Sequence, residues 1–335
     1  MNCQLTRGEC VSLLFTCRLF WTSVQHLGNL VILFNDRDSI LPANFLLLLA
    51  AAIWGFGFVA QTLGMEHLSP FAFNGLRFLI GTLSLVPLVW YLARQGKIHL
   101  GTPKDFAIGC VAVGGLLFAG ASLQQVGLLY TTAANAGFIT GLYIVLVPIL
   151  GLALKHATGA NTWLGCAVAL VGLYFLSIKD GFHIGYGDML QLIGALFWAM
   201  HILAVDHFAK RISPVLLAMM QFLVCGVLSL LVSAAIEVTT VDKVVAAWGS
   251  LAYAGLISVG IAYTLQVLAQ KHAHPAHAAI ILSLETVFAA IGGILFLGES
   301  LGLRALVGCG LMLLGMLISQ VPLRYLIKSR HQNVS

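Results

Sequence analysis

The sequence predicts an all-α fold: a polytopic membrane bundle of ten transmembrane helices in two inverted five-helix repeats. Hydrophobic residues make up 60% of the 335 residues and charged residues only 9%, whereas soluble domains carry about 25% charged residues. Apolar runs long enough to cross a hydrocarbon core of about 30 Å recur along the chain. Backbone groups in lipid must be paired within the protein, and these runs are too long for barrel strands, so we expect helices.

The apolar runs are separated by short linkers rich in glycine, proline and charge, such as RQGKIHLGTPKD and KDGFHIGYGD. Linkers of this length join consecutive helices as hairpins of one bundle, without soluble lobes between them. We therefore expect spans at residues 43–63, 70–92, 106–128, 132–154, 162–178, 188–208, 213–236, 247–270, 275–297 and 302–322.

An internal repeat relates the two halves of the chain. Trp54 aligns with Trp198 when the sequence is shifted by 144 residues, and Gly165 aligns with Gly308 when it is shifted by 143. Each half contains five predicted spans, and this odd number makes the second half enter the membrane from the opposite side. Inverted repeats are typical of secondary transporters, whose substrate site lies near the midplane between the halves.

The repeat divides the chain into four parts. Residues 43–178 form the first repeat, residues 187–322 the second, and residues 323–335 a cytoplasmic tail. Residues 1–42 form an N-terminal extension whose apolar part, VSLLFTCRLFWTSVQHLGNLVILF, is interrupted by polar residues. Four interpretations of the extension remain open: an interfacial helix, a disordered segment, an eleventh span, or sequence upstream of the physiological start. Its interrupted apolar part does not favour a cleavable signal peptide.

The distribution of lysine and arginine predicts the orientation. With a cytoplasmic N-terminus, thirteen of these residues lie on the inside and only Lys179, Lys243 and Arg304 on the outside. Cytoplasmic loops of membrane proteins carry the excess of positive charge, so we expect both termini in the cytoplasm. The net charge of +5 then reflects membrane topology, and it does not indicate a nucleic-acid partner.

Four segments resemble one transporter family: AAIWGFGFVA, LSPFAFNGLRFLIG, AANAGFITGLYIVLVPIL and PAHAAIILSLETVFAAIGGILFLGESL. Together with the glycine-rich last span they are similar to the drug/metabolite transporter (DMT) superfamily, EamA type, over residues 43–322. The resemblance implies the inverted five-helix repeats and a cavity lined mainly by the first, third and fourth helix of each repeat. It also implies export of amino acids, other metabolites or drugs across a bacterial inner membrane.

The ninth span departs from the family pattern. Family members often carry Leu-Glu-Pro where this chain has Leu284, Glu285 and Thr286, whereas the first repeat keeps a proline, Pro148. Because threonine retains the backbone N–H that proline lacks, the kink that the family pattern implies in span nine is left open.

The segment QKHAHPAHAAIILSLET contains three histidines, His272, His274 and His277, close to Pro275. Pro275 suits the first turn of a helix, so we expect the histidines to form a polar loop and helix cap. A metal or pH-sensing role is the alternative. Glu285 lies about 15 Å further along the helix from Pro275, so it cannot share a metal with the loop histidines. We predict no metal site and no cofactor.

Two ionisable side chains lie within predicted spans. Glu285 lies near the middle of the bilayer, where an ionisable group normally faces the bundle interior or a water-filled cavity. It either binds a cationic amine of the substrate, carries a proton for an antiporter, or makes a structural hydrogen bond. Arg77 lies about 10 Å from the outer end of span two, and we expect it to extend its side chain to the outer interface.

Several polar and aromatic side chains lie inside spans, and because bare amide and hydroxyl groups are unfavourable in lipid, we expect the polar ones to point inward. Helix–helix hydrogen bonding is the alternative role for each of them alone. Gln124 and Gln125 are adjacent and cannot both face the same way, and the predicted site includes the second of them. We expect the set to form an aromatic, neutral-polar cavity with a single carboxylate, suited to zwitterionic, amine-bearing or aromatic metabolites. The predicted site residues are Glu285, Trp54, Gln61, Gln125, Thr140, Tyr143, Trp198, His201, Tyr263 and Gln266.

These patterns predict a secondary transporter that exports small metabolites, such as amino acids or related amines, or drugs, by alternating access with proton coupling as an option. The alternatives are a facilitative channel, a membrane sensor for a small metabolite or, less favoured, a metal-ion transporter. The sequence contains no nucleophile–base pair and no metalloprotease motif that would indicate an enzyme. The expected partners are a small-molecule substrate, the lipid bilayer and protons, with a homodimer left open and no nucleic acid.

Overall fold

The computed structural model describes residues 25, 28–29, 40–131, 133–156, 158–177, 185–297 and 302–320. The predicted tail, residues 323–335, lies outside the described residues, as does nearly all of the predicted extension, residues 1–42.

The regular structure of the described residues is entirely helical. Four of the helices begin at a proline, because the first helical position needs no N–H donor. These prolines are Pro70, Pro103, Pro214 and Pro275. In chain order the elements are α1 (Ile40–Met65), α2 (Pro70–Arg94), α3 (Pro103–Gly127), α4 (Ala133–Gly141), α5 (Tyr143–Ala153), α6 (Ala160–Ser177), α7 (Tyr186–Ala209), α8 (Pro214–Ile236), α9 (Val241–Ala246), α10 (Trp248–Ala252), a π-helix (Tyr253–Tyr263), α11 (Thr264–Gln270), α12 (Pro275–Leu282), α13 (Glu285–Leu297) and α14 (Leu303–Gln320).

Eight helical segments of the described chain are long and apolar enough to cross a membrane. Two shorter apolar segments, Ile139–Ala153 and Ala160–Phe175, lie where the sequence predicts spans four and five. The protein is therefore a polytopic helical membrane bundle. The expected segments 247–270 and 275–297 each contain more than one helix, and these interruptions position the cavity described below.

The ninth predicted span is interrupted at Ser283 and Leu284, between α12 and α13. Leu284 N donates to the Ile281 carbonyl at 3.1 Å, and Thr286 N donates to the Ser283 carbonyl at 3.2 Å. Both bonds span three residues instead of four, which tightens the chain into a turn. The regular α-helical hydrogen bonding is thus interrupted although this span lacks the family's proline.

The fourth predicted span is interrupted in the same way at Leu142, between α4 and α5. Leu142 N donates to the Ile139 carbonyl at 3.1 Å, and Val145 N donates to the Leu142 carbonyl at 3.0 Å. Pro148 lies inside α5, beyond the interruption. The proline therefore does not mark the point where the helix breaks.

The eighth span contains a π-helix of 11 residues, Tyr253–Tyr263. Its glycines pack closely against α2, since a Cβ on Gly255 would lie 2.6 Å from Ile80 and a Cβ on Gly260 would lie 2.6 Å from Ser84. π-Helical turns are rare and are frequent at functional sites. Here the wide helix carries Ser258 and Tyr263 on the side that faces the cavity.

Helices α6 and α14 cross through four glycines. A Cβ on Gly165 would lie 2.6 Å from the Gly315 carbonyl oxygen, and a Cβ on Gly172 would lie 2.6 Å from the Gly308 carbonyl oxygen. The lower-numbered glycine of each helix thus meets the higher-numbered glycine of the other, so the two helices run antiparallel. Small residues at such crossings let the backbones approach closely, which stabilises helix packing in membranes.

Candidate binding cavity

A cavity of about 50 Å³ lies within the bundle. Ligand pockets in proteins measure about 300–1,000 Å³, so binding of a metabolite requires this cavity to widen. Eight of the ten predicted site residues line it, and Gln125 and His201 do not. Its lining residues are Trp54, Phe58, Gln61, Arg77, Gln124, Thr140, Tyr143, Trp198, Ile202, Ser258, Tyr263, Gln266, Leu282 and Glu285.

Glu285 is the first residue of α13, immediately after the interruption of span nine. Its side chain is buried, and the Tyr143 hydroxyl donates a hydrogen bond of 3.2 Å to Glu285 Oε1. Tyr143 is itself the first residue of α5, immediately after the interruption of span four. The two broken helices therefore bring a carboxylate and a hydroxyl together at the cavity wall.

Three aromatic rings form one side of the cavity. Trp54 and Tyr263 have ring centroids 4.5 Å apart, and Trp198 stacks on Tyr263 with centroids 6.3 Å apart and an interplanar angle of 25°. Trp54 Nε1 donates to the Ser258 carbonyl at 3.2 Å, so the π-helix fixes this indole. The rings supply a polarisable, largely apolar surface to the cavity.

A chain of amide groups lies between the aromatic side and span four. Trp198 Nε1 donates to Gln124 Oε1 at 3.0 Å, and Gln191 Nε2 donates to the Gln124 carbonyl at 2.9 Å. Thr140 Oγ1 donates to Gln191 Oε1 at 3.3 Å. These bonds join α3, α4 and α7, and they hold Gln124 at the cavity wall.

Gln124, and not Gln125, is the glutamine of span three that lines the cavity. The sequence prediction named Gln125, since an alternation argument shows that only one member of the pair can face inward without showing which. Gln125 is fully buried, and its side-chain oxygen and nitrogen have no hydrogen-bond partner within the described part of the chain.

His201 lies behind the aromatic side instead of on the cavity surface. Its ring is 5.9 Å from Trp198 and 6.4 Å from Tyr263, in edge contact with both. One ring nitrogen, Nε2, lies 2.8 Å from Gln221 Oε1. His201 therefore contacts two of the rings that line the cavity and is not itself part of the lining.

Two glutamines leave acceptors free at the cavity. Gln61 donates through Nε2 to the Gly57 carbonyl at 3.4 Å, while its Oε1 has no hydrogen-bond partner among the described residues. The same is true of Gln266 Oε1. Unpaired buried oxygens are costly, so both atoms are suited to accept from a bound donor.

Arg77 lines the cavity and does not extend to the outer interface, which corrects the expectation from the sequence. Only 5% of its surface is exposed. Its guanidinium carbon lies 5.0 Å from the ring centroid of Phe78 and 5.6 Å from that of Phe73. The cavity therefore contains a cation as well as the predicted carboxylate, and it is not neutral-polar apart from Glu285.

The loop histidines lie away from this cavity. His274 Nδ1 accepts a hydrogen bond from Ala276 N at 3.3 Å, so it caps α12 as predicted. His277 Nε2 lies 2.9 Å from Thr162 Oγ1, which joins span nine to span five. These contacts give both histidines structural roles.

A transporter family matches nearly the whole described chain. The model of the EamA-like transporter family matches twice, over residues 41–178 and 185–320. The chain belongs to the EamA-like transporter family. It is thus a membrane transporter of this family, and its long apolar helices are those of a multi-pass membrane protein.

Relatives in other organisms are also named as transporters. An uncharacterized transporter of Archaeoglobus fulgidus is 35% identical over 285 residues, covering 83% of this chain and 85% of the relative. A probable amino-acid metabolite efflux pump of Salmonella typhimurium is 26% identical over 162 residues, covering 47% of this chain and 50% of the relative. A solved crystal structure shares the fold with a TM-score of 0.70 at 19% identity, covering 83% of this chain and 96% of the other.

Proposed function

We propose that this protein is a secondary transporter that exports small amine-bearing metabolites by alternating access, in exchange for protons. It lies in the bacterial inner membrane with both termini cytoplasmic, and ten spans form two inverted five-helix repeats. The observation that carries the proposal is Glu285, a buried carboxylate at a helix interruption in the wall of a cavity inside the bundle. The Salmonella relative, named an amino-acid metabolite efflux pump, supports the choice of solute class and direction.

Glu285 is suited to bind an ammonium group. It accepts from Tyr143 through Oε1 only, among the hydrogen bonds of the described residues, so Oε2 remains available to a ligand. A positive group bound there would be neutralised in a site that excludes most water, where charge-assisted hydrogen bonds are strong. The free acceptors Gln61 Oε1 and Gln266 Oε1 line the same cavity and add further partners for an N–H donor.

Coupling to protons follows from competition for one carboxylate. A Glu285 side chain that carries a proton is neutral and loses its attraction for an ammonium group, while a deprotonated one attracts it. Entry of a proton from outside then favours release of the amine outward, and loss of the proton inside favours binding of the next amine. This exchange needs a single site that is exposed alternately to the two sides.

The packing supports two inverted repeats that move against each other. The family model matches the chain twice, and α6 packs antiparallel to α14 through equivalent glycines. Both interrupted helices contribute the first residue after the interruption, Tyr143 or Glu285, to the same hydrogen bond. A change in either half would therefore alter the contact at which we place the substrate.

The first prediction tests this assignment with Glu285→Gln in proteoliposomes. The variant should lose pH-gradient-driven transport of amines, because an amide cannot exchange a proton. Its affinity for an amine-bearing solute should fall by at least about 30-fold, the lower end of the range for breaking a buried charge pair. Exchange of labelled for unlabelled solute, driven flux and the thermal midpoint of unfolding are measured together.

Glu66→Gln is the matched control, since Glu66 is exposed in the turn after α1. It should retain binding and driven flux. A Glu285→Gln protein with unchanged affinity, flux and pH dependence would remove Glu285 from the mechanism. Loss of stability with normal flux would leave it a purely structural role, and unsaturable flux in wild type would indicate a channel.

A further inference from the structure

We propose that Arg77 forms a carboxylate-binding subsite of the cavity, so that the transported solute carries a carboxylate as well as an ammonium group. The proposal rests on the function proposed above, because it assigns the second end of the solute whose ammonium group binds Glu285. It gives a specific role to Arg77, which was expected from the sequence to extend to the outer membrane interface.

Arg77 is a buried cation with an unsatisfied donor. Only 5% of its surface is exposed, and its Nε has no hydrogen-bond partner in the part of the chain that is described. An arginine side chain does not lose its proton in proteins, so the charge persists in every state of the protein. A buried charge without a partner is strongly unfavourable, which favours an anionic ligand at this position.

The recorded neighbours of the Arg77 guanidinium among the described residues are aromatic rings and not acceptors. The rings of Phe73 and Phe78 lie near the guanidinium, with centroids 5.6 Å and 5.0 Å from its central carbon. Aromatic rings attract a guanidinium but cannot accept its in-plane N–H bonds as a carboxylate does. The planar fork of N–H donors matches the two oxygens of a carboxylate, which makes that group the best-fitting ligand.

The equivalent position of the second half shows that the packing of these helices does not require a charge. The shift of 144 residues that aligns Trp54 with Trp198 also aligns Arg77 with Gln221. Gln221 is fully buried, and its Oε1 lies 2.8 Å from His201 Nε2. The same place in α8 thus holds a neutral side chain with a protein partner, whereas the place in α2 holds a cation facing the cavity.

The two charges of the cavity are not paired with each other. The ion pairs found among the described residues join Lys210 to Asp206 and Arg211 to Asp105. Arg77 and Glu285 therefore both line the cavity without a direct contact. A solute with one negative and one positive group satisfies both at once and leaves the occupied cavity neutral, whereas a doubly charged phosphate leaves an excess of negative charge.

The experiment compares matched ligands on purified protein. One series is L-leucine, isoamylamine, which lacks the carboxylate, and isocaproate, which lacks the ammonium group. The second series is L-phenylalanine, phenethylamine and hydrocinnamate. Ligands that bind the native state raise the thermal midpoint, and at equal concentration the tighter ligand raises it more. Wild type should bind an amino acid at least about tenfold more tightly than the corresponding amine.

Arg77→Gln introduces the residue found at position 221 and should abolish this discrimination while amine binding remains. Arg77→Lys keeps a charge but lacks the fork, so it should retain part of the discrimination and guards against a folding defect. Arg94→Gln is the control, because Arg94 lies in the same helix over the ring of Trp90 and is exposed. It should bind all ligands as wild type does.

The outcomes separate the two proposals. Wild-type protein that binds the amines as tightly as the amino acids, or an Arg77→Gln protein that still prefers the amino acids, overturns the carboxylate subsite and leaves the function at Glu285 intact. Binding of the carboxylates alone, lost in Arg77→Gln, supports the subsite and contradicts the ammonium role of Glu285. No stabilisation by any member of either series contradicts both proposals.

Discussion

At the scale of single residues, the hydrogen bond between Tyr143 and Glu285 joins the two halves at the cavity. A hydrogen bond to a charged group contributes about 1.5–3 kcal/mol, so Tyr143→Phe should lower the thermal midpoint. It should also alter the pH profile of substrate exchange, because Glu285 loses its donor. Both effects are measured on purified and reconstituted protein.

Tyr253→Phe serves as the control for that change. Tyr253 donates to the Ile53 carbonyl at 2.9 Å, a neutral acceptor in the backbone. Its removal should cost stability and leave the pH profile as in wild type. If both variants share the wild-type pH profile, the bond from Tyr143 does not influence proton exchange at Glu285.

The sequence predicted which side chains lie within the spans better than it predicted which way those side chains point. Glu285 was expected at the cavity because an ionisable group well inside a span normally faces the bundle interior. The directions of Gln124 and Arg77 were not foreseen, for different reasons. Adjacent glutamines are equivalent until the rotation of the helix is known, and a long arginine can reach either the interface or the interior.

At the scale of helices, the contact of α1 with the start of α13 determines how the interruption at Ser283 and Leu284 packs. A Cβ on Gly55 would lie 2.6 Å from the Glu285 carbonyl oxygen and 2.7 Å from Ala289 N. Both atoms belong to the backbone and cannot move aside as a side chain can. The close approach therefore requires glycine, and it places the backbone of Glu285 directly against α1.

We predict that Gly55→Ala displaces α13 from α1, lowers the thermal midpoint and reduces substrate exchange. Gly115→Ala is the control, because a Cβ there meets nothing within 4 Å. Alanine in a helix interior is favoured over glycine by about 0.5–1 kcal/mol, so the control should be neutral or slightly stabilised. Equal behaviour of the two alanine variants would show that the contact is not important for packing or transport.

The helix interruptions show the limit of local sequence signals. The sequence placed each span from its apolar length, but it gave proline as the cause of any kink. The structure breaks span nine without a proline, and it keeps Pro148 inside α5. Tertiary packing, including the contact of Gly55 with the backbone of α13, overrides the local preference for a continuous helix.

At the scale of the whole molecule, two independent observations bear on the membrane topology. One is the bias of lysine and arginine, and the other is the antiparallel packing of α6 and α14. The bias of thirteen against three concerns the loops, whereas the glycine contacts concern the bundle interior. Antiparallel equivalent helices are what an inverted repeat requires, and the bias then selects one orientation of the whole bundle. The orientation is therefore open to a test that does not depend on the substrate.

The last prediction concerns this orientation. His67→Cys, in the exposed turn after α1, should react with a membrane-impermeant thiol reagent in intact cells, and Gln95→Cys, in the exposed turn after α2, should react only after lysis. The cysteine is placed at Gln95 and not at the neighbouring Gly96, because Gly96 has a φ of 65°. A cysteine at that φ would be strained. The background should lack Cys3, Cys10, Cys17 and the partly buried Cys309, whereas Cys110, Cys166 and Cys225 are buried and can remain. Labelling of Gln95→Cys in intact cells, with His67→Cys protected, would reverse the proposed orientation, and labelling of both would indicate that the chain inserts in two orientations.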